Sequence, residues 1–466
     1  MTEGIHWPRS HPGGTVFKGG RWITMDPSDR IVEGEMFVVD GRIEQFGPKV
    51  SAPEGTPIVD LTGRWMTPGF IQGHVHLGQT LFRGLGEDRR LLDWLSGVIW
   101  PLEAAHDDES AYWSAVVGGA EAMRAGTTSM LDIGLVHGMN GLFRGLIDLG
   151  VRARTGKLLM DRGDGVPPAL LGEPDRILAE SHELARHWDG VDNGRIGYAV
   201  CPRFVFSCTP ALWEGAVAQA RGGNWPLHTH AFETREEQEA VRAVEHRSEL
   251  DTLRDVGALT VPLKVAHGVW VDDPTAERLG GAGAAVIHCP ASNLKLGSGV
   301  ADLERLKRHG VRVGIGCDGS PCNNFLDPLG EMRLAALLQK WRHGPDRFTA
   351  RDALSLATRE GALAIDAEDR IGSLEVGKRA DFVVFDLERV HSLCADAVDP
   401  YTRIVFGADR TNIESVYIEG RAVVDRGQIP GFEDKEIMAR GREALHAVLA
   451  RAGRFESTTR PAKMTP

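Results

Sequence analysis

Cysteine is scarce in this chain: six in 466 residues, at Cys201, Cys208, Cys289, Cys317, Cys322 and Cys394, with no C-x-x-C pair. That is too few for a disulfide scaffold at this length, and reduced thiols in a cytoplasmic protein are expected. Long apolar runs are also missing, and none reaches the roughly 18 residues of a membrane-spanning helix. The opening stretch, MTEGIHWPRSHPGG, lacks the basic-then-apolar order of a secretory signal. Positive charge is in deficit, with 53 Lys and Arg against 65 Asp and Glu for a net charge of −12. A polyanionic nucleic-acid partner is therefore not expected. No internal repeat or low-complexity block occurs.

What remains is a globular composition, 42% hydrophobic and 25% charged, sufficient for a large core. Residues 15–66 carry short alternating apolar runs (TVFKGGRWITMD, GEMFVVDGRIEQFG, TPIVDLTGRWMTPG) whose GG and DG punctuation predicts antiparallel hairpins. The texture returns near the C-terminus in RADFVVFDLERV and NIESVYIEGRAVVDRGQ. Between them, FIQGHVHL, TTSMLDIG, VRARTGKLLMD, RIGYAVCPRF, WPLHTHAF, LKVAHGVWV, AAVIHCPAS and RVGIGCDGS read as buried strands separated by helical stretches. Eight such strands predict an α/β fold, a (β/α)₈ TIM-like barrel, with a small β-sandwich formed by the terminal segments. A doubly wound sheet gives the same alternation with fewer strands. The expected division is 1–66 and 371–430 for the sandwich, 67–370 for the barrel and 431–466 for a terminal helix and polar tail.

In a barrel, chemistry sits at the C-terminal strand ends. The first strand ends in His74 and His76, which share one face because side chains two apart do so. The fifth ends in His228–Thr229–His230, followed by Glu233. The sixth carries His267 and the eighth ends in Asp318. A lone histidine near a strand end is more often structural, but polar residues at four strand ends in barrel order form a pattern. Three imidazoles and a carboxylate suit one divalent ion, Zn²⁺ before Fe²⁺ or Mn²⁺. Such an ion lowers the pKa of water toward about 7.

HVH at 74–76, HTHAFE at 228–233, AHGVW at 266–270, HCPASNLKLGSG at 288–299 and GCDGSPCNN at 316–324 resemble the amidohydrolase superfamily. Within it the chain is similar to the branch of guanine, adenosine-type and cytosine deaminases and s-triazine hydrolases. The resemblance covers nearly the whole chain, including MTPGFI and IGSLEVGKRADFVVFD. It implies that His74, His76, His230 and Asp318 hold the metal, that Glu233 shuttles protons, and that His267 orients the attacking water. His228 is not assigned to the metal. No lysine occurs in RIGYAVCPRF, where two-metal members place a bridging modified lysine, so one metal is expected. Gln79 and Arg203 match positions that hold the base in guanine deaminase, and Glu103 one that accepts ribose hydroxyls in adenosine-type enzymes. Trp94 and Trp100 read as core. Ser292, Asn293 and Asn323 read first as helix caps.

The resemblance thus implies a hydrolytic deaminase of a purine-type N-heterocycle, with a 5′-deoxyadenosine-like nucleoside first. Guanine or 8-oxoguanine deamination, or s-triazine amino- or chlorohydrolysis, stand as alternatives. A small-molecule substrate, a homo-oligomer of two or more chains and a cytoplasmic location complete the expectation, with neither nucleic acid nor membrane as partner.

Overall fold

The computed structural model describes residues 13–453. The opening stretch and the polar tail, on which two of the expectations above rest, lie outside the described residues.

The centre of the molecule is built from parallel strands β1 (Phe70–His76), β2 (Thr127–Asp132), β3 (Arg152–Thr155), β4 (Ile196–Tyr198), β5 (Leu227–Ala231), β6 (Leu263–His267), β7 (Ala285–His288) and β8 (Arg312–Ile315). They are almost wholly buried, as parallel strands covered by helices must be, which explains their near-continuous apolar runs. Pairing runs from β1 to β4 and from β5 to β8. The two arcs join at both ends. Parallel bridges Val200 with Leu227 and Phe204 with His230 link the continuation of β4 to β5. Beyond β8, Asp318 and Gly319 pair with Val75 and His76 of β1. The ring therefore closes as a (β/α)₈ barrel.

Strands from both ends of the chain share a six-stranded sheet. Trp65–Pro68 lies against Phe382–Phe385, with Arg21–Ile23 and Ile413–Ile418 flanking them. A four-stranded sheet made of Thr15–Lys18, Glu35–Val39, Arg42–Gly47 and Ile58–Asp60 accompanies it. The DG hairpin forms as its sequence dictates: Asp40 (φ 50°) and Gly41 (φ 74°) both take left-handed backbone between antiparallel strands. The GG pair does not make a hairpin. Thr15–Lys18 and Arg21–Ile23 belong to different sheets, so Gly19 and Gly20 (φ 75° and 79°) carry the chain from one to the other. Local sequence specifies the turn but not which sheet receives the next strand.

A separate cluster of Phe17, Trp22, Phe382 and Tyr417 fills this terminal unit. Phe382 stacks on Tyr417 at 4.6 Å and meets Phe17 edge-on at 5.0 Å. Phe382→Ala is expected to lower unfolding stability by about 3–5 kcal/mol, from lost transfer energy and the cavity left behind. Urea denaturation checks this, and a loss below about 1 kcal/mol would mean the cluster collapses around the gap. The helix Asp434–Ala452 returns to the barrel, where Arg451 Nε donates to the carbonyl of Ala105 at 2.7 Å.

Candidate metal centre

His74 and His76 lie on one face of β1, and His230 reaches the same point from β5. His76 Nε2 faces His230 Nε2 at 3.0 Å. Asp318 Oδ1, on the segment closing β8 onto β1, lies 3.3 Å from both His74 Nε2 and His76 Nε2. The ligand atoms of His74, His76 and His230 form one group within 4.8 Å of one another, and those of His74, His267 and Asp318 a second. Both contain His74, so they describe a single centre. Bonds of about 2.0–2.1 Å in a tetrahedron put ligand atoms roughly 3.3 Å apart, which matches the spacings seen. His74 Nε2 is buried with no hydrogen-bond partner. Such a cost is expected where a nitrogen is reserved for another ligand. The set fits a divalent ion.

Neighbouring groups prepare the nitrogens. His230 Nδ1 donates to the carbonyl of Arg203 at 2.6 Å, leaving its Nε2 lone pair facing inward, and Phe204 stacks on the ring at 4.4 Å. His74 Nδ1 meets His228 Nε2 at 2.9 Å, so His228 fixes the ring of a candidate ligand from behind. Burial, reinforced by the other imidazoles, holds His76, His228 and His230 well below the usual histidine range. Burial also lowers His74, against the opposing pull of Asp318. Neutral rings are what a metal requires. Burial works to raise the Asp318 carboxyl, but the adjacent His74 imidazole, with His267 and His76, wins and holds it well below the usual carboxylate range.

Glu233 and His267 stand beside this centre. His267 Nε2 is 3.5 Å from Glu233 Oε2 and 3.9 Å from Asp318 Oδ2. Burial first, and the Asp318 charge second, push the Glu233 carboxyl up to about 8. His267 (φ 76°), Asp318 (φ 63°) and Phe232 (φ 58°) all carry left-handed backbone, a strain that clusters at working sites.

The sequence-level expectation of caps fails for Ser292 and Asn293. Both lie inside the short helix Pro290–Lys295 and face the centre. Ser292 Oγ donates to Asp318 Oδ2 at 2.5 Å, and Asn293 Oδ1 accepts from His267 Nδ1 at 2.9 Å. Asn323 bonds the carbonyl of Cys317 and Glu331 Oε1. Asp132, unremarked in the sequence, ends β2 and accepts from the Leu77 and Gly134 amides and from Thr155 Oγ1, fixing the turn after His76. A carboxylate at the end of TTSMLD was the available signal. Glu237 and Glu249 gave none. Glu237 Oε2 accepts the Glu233 amide at 2.7 Å, and Glu249 Oε2 accepts the Phe232 amide at 2.9 Å. Burial pushes Glu237 up to about 7 and Glu249 well above the carboxylate range.

Gln79, Glu103 and Arg203 come together one bond from the ligands. Arg203 pairs with Glu103 in full burial. Gln79 Nε2 reaches Glu103 Oε1 at 2.8 Å and His76 Nδ1 at 3.1 Å. Gln79 Oε1 is left buried without a partner. Trp94 and Trp100 are buried in the core.

A family model described as "Amidohydrolase family" matches residues 65–423. The chain is 35% identical over 414 residues to a 5-methylthioadenosine/S-adenosylhomocysteine deaminase of Desulforudis audaxviator, covering 88% of this chain and 93% of that one. It is 29% identical over 426 residues to a 5′-deoxyadenosine deaminase of Methanobrevibacter smithii, covering 91% and 96%. Among solved structures, an adenosine deaminase from Xanthomonas campestris with bound zinc superposes with a TM-score of 0.85 at 27% identity, covering 95% of this chain and 100% of that one.

Proposed function

Since the chain belongs to the amidohydrolase family, we propose that it is a metal-dependent hydrolytic deaminase of an adenosine-type nucleoside, releasing ammonia. The observation that carries this is the convergence of three imidazole nitrogens and Asp318, with Glu233 and His267 alongside. His74, His76, His230 and Asp318 would hold one ion, zinc by preference, as the relative with bound zinc supports. A divalent ion there supplies the Lewis acidity that makes water a nucleophile near pH 7.

The remaining steps belong to the side chains. Attack on the amidine carbon needs a proton delivered to the ring nitrogen and another to the departing amine. Burial favours the protonated form of the Glu233 carboxyl, which would give its proton to the ring nitrogen. Asp318, kept ionised, would accept one from water and pass it to the departing amine, which leaves as ammonia. His267, its Nδ1 committed to Asn293, turns a fixed Nε2 toward both carboxyls. Gln79, Glu103 and Arg203 form the wall that meets the purine, with the free Gln79 carbonyl oxygen available to a substrate N–H. Two apolar side chains one turn apart, Leu337 and Trp341, are 50% and 78% exposed, which supports a homo-oligomer. Among the described residues no helix is long and apolar enough to cross a membrane.

The test is ammonia release by zinc-loaded protein on 5′-deoxyadenosine, 5-methylthioadenosine, S-adenosylhomocysteine, adenosine, guanine and an s-triazine. Turnover is expected on the adenosine-type members and should vanish on chelation. Activity that survives metal removal, or confinement of turnover to guanine or the triazine, would sink the proposal.

A further inference from the structure

At the opposite end of the barrel, where β2, β3 and β4 begin, lies a cavity of about 140 Å³. Its walls carry Arg152, Arg154, Arg195 and Arg370, against a single acid, Asp189. This is an unusual concentration of cations in a chain of net charge −12.

Where the charges are spent decides what the cavity can do. Arg152 is neutralised by Asp381 and Glu419, at 3.0 and 3.1 Å. Asp189 accepts from the Tyr198 amide and Trp225 Nε1, both at 2.9 Å, neutral donors that leave its charge to act on Arg154. Of the other three guanidiniums, Arg195 is paired with Asp192, while Arg154 and Arg370 have no ion pair among the described residues. Arg154 Nη1 donates to the carbonyl of Ile365 at 2.9 Å, and no carboxylate pairs with it among the described residues. Arg195 bonds Asp192 through Nη2, but its Nε is buried without a partner, on a residue 3% exposed. Arg370 makes no side-chain hydrogen bond or ion pair among the described residues. Burial lowers Arg370, and Arg154, Arg152 and Arg379 lower it further. Burial and then Arg421 bring Arg195 down to about 10. Like charges gathered in a partly buried space are costly unless an anion completes them.

We propose that this cavity binds a small tetrahedral oxyanion, inorganic phosphate or the terminal phosphate of a phosphomonoester, through Arg154, Arg195 and Arg370. Guanidinium forks arriving from three separate segments suit an anion with acceptors on every side, whereas a carboxylate would satisfy one fork. At about 30 Å³ per water, the volume admits such an ion together with some of its hydration. The site lies at the end of the barrel away from the metal centre and does not depend on the reading of that centre.

The experiment is calorimetric titration of the zinc-loaded protein with sodium phosphate at constant ionic strength, repeated with glycerol 3-phosphate. One saturable site per chain is expected. Arg154→Gln and Arg370→Gln should each weaken it at least tenfold, Arg370→Lys should weaken it less, and His230→Ala should leave it unchanged. Tighter binding of the ester than of phosphate assigns the site to a phosphorylated metabolite, and the reverse order to the free ion. Absence of saturable heat overturns the proposal. So does binding that survives both glutamine variants yet disappears in His230→Ala, which would put the phosphate at the metal centre. Circular dichroism of each variant separates lost binding from lost folding.

Discussion

His230→Ala is expected to leave the protein without a tightly held ion and without measurable ammonia release. The ring supplies one of three imidazole donors, its lone pair is aimed inward by the Arg203 carbonyl, and Phe204 backs it in full burial. Atomic absorption on the purified variant checks the metal, and the substrate panel checks the turnover. The fold should persist, since the cavity left by one ring at a strand end is small beside the closed barrel. Added zinc should raise the melting temperature of the parent and not of the variant, as linkage to a native-state ligand requires. Stoichiometric zinc in His230→Ala would refute the ligand assignment.

Glu233→Gln is expected to keep the ion and lose about 10²- to 10⁴-fold in kcat, the usual contribution of a positioned acid or base. The amide oxygen of the new side chain would still accept the hydrogen bond that Ser298 Oγ gives Glu233 at 3.1 Å. The change therefore removes a transferable proton with little change of shape. KM should move much less than kcat, and a variant retaining more than a tenth of parental kcat would remove Glu233 from the proton path. A second readout comes from stability of the metal-free protein. The Glu233 carboxyl titrates at about 8 when folded, against an ordinary value of 4.5. Between these pH values the native state binds more protons than the unfolded chain, so stability falls as pH rises through the window. Glutamine cannot ionise, and the variant should lose less stability between pH 5 and pH 8.5 than the parent does.

The barrel was legible because its strands are buried on both faces and read as short apolar runs. The centre was legible because strand ends are where a core does not want His or Asp. FIQGHVHL displays both signals at once, with Gln79 soon after. Other features were hidden for physical reasons. Gly19 and Gly20 announce a turn, yet the partner of the following strand is set by Trp65–Pro68, far along the chain. Ser292 and Asn293 carry cap chemistry, and only the closure of the eighth segment onto β1 brings Asp318 beneath one of them. Glu237 and Glu249 sit on short helices rich in charged residues, where nothing local marks them out. Their burial arises from how those helices sit on the Phe232–Glu233 turn, which neither helix encodes alone.

The seam between β1 and the segment after β8 has a mechanical meaning. Asp318 pairs with Val75 across the join that turns an open sheet into a ring, and an ion shared by His74, His76 and Asp318 would rivet that join. The first and last strands of the barrel are the pair whose contact closes the longest loop, so theirs is the contact most dependent on the rest of the fold being in place. Metal loading should therefore act on the rate at which the ring unzips as well as on chemistry. Amide hydrogens at the join, Val75 and Gly319 among them, should exchange faster in chelated protein, while those of β6 and β7 across the barrel change little.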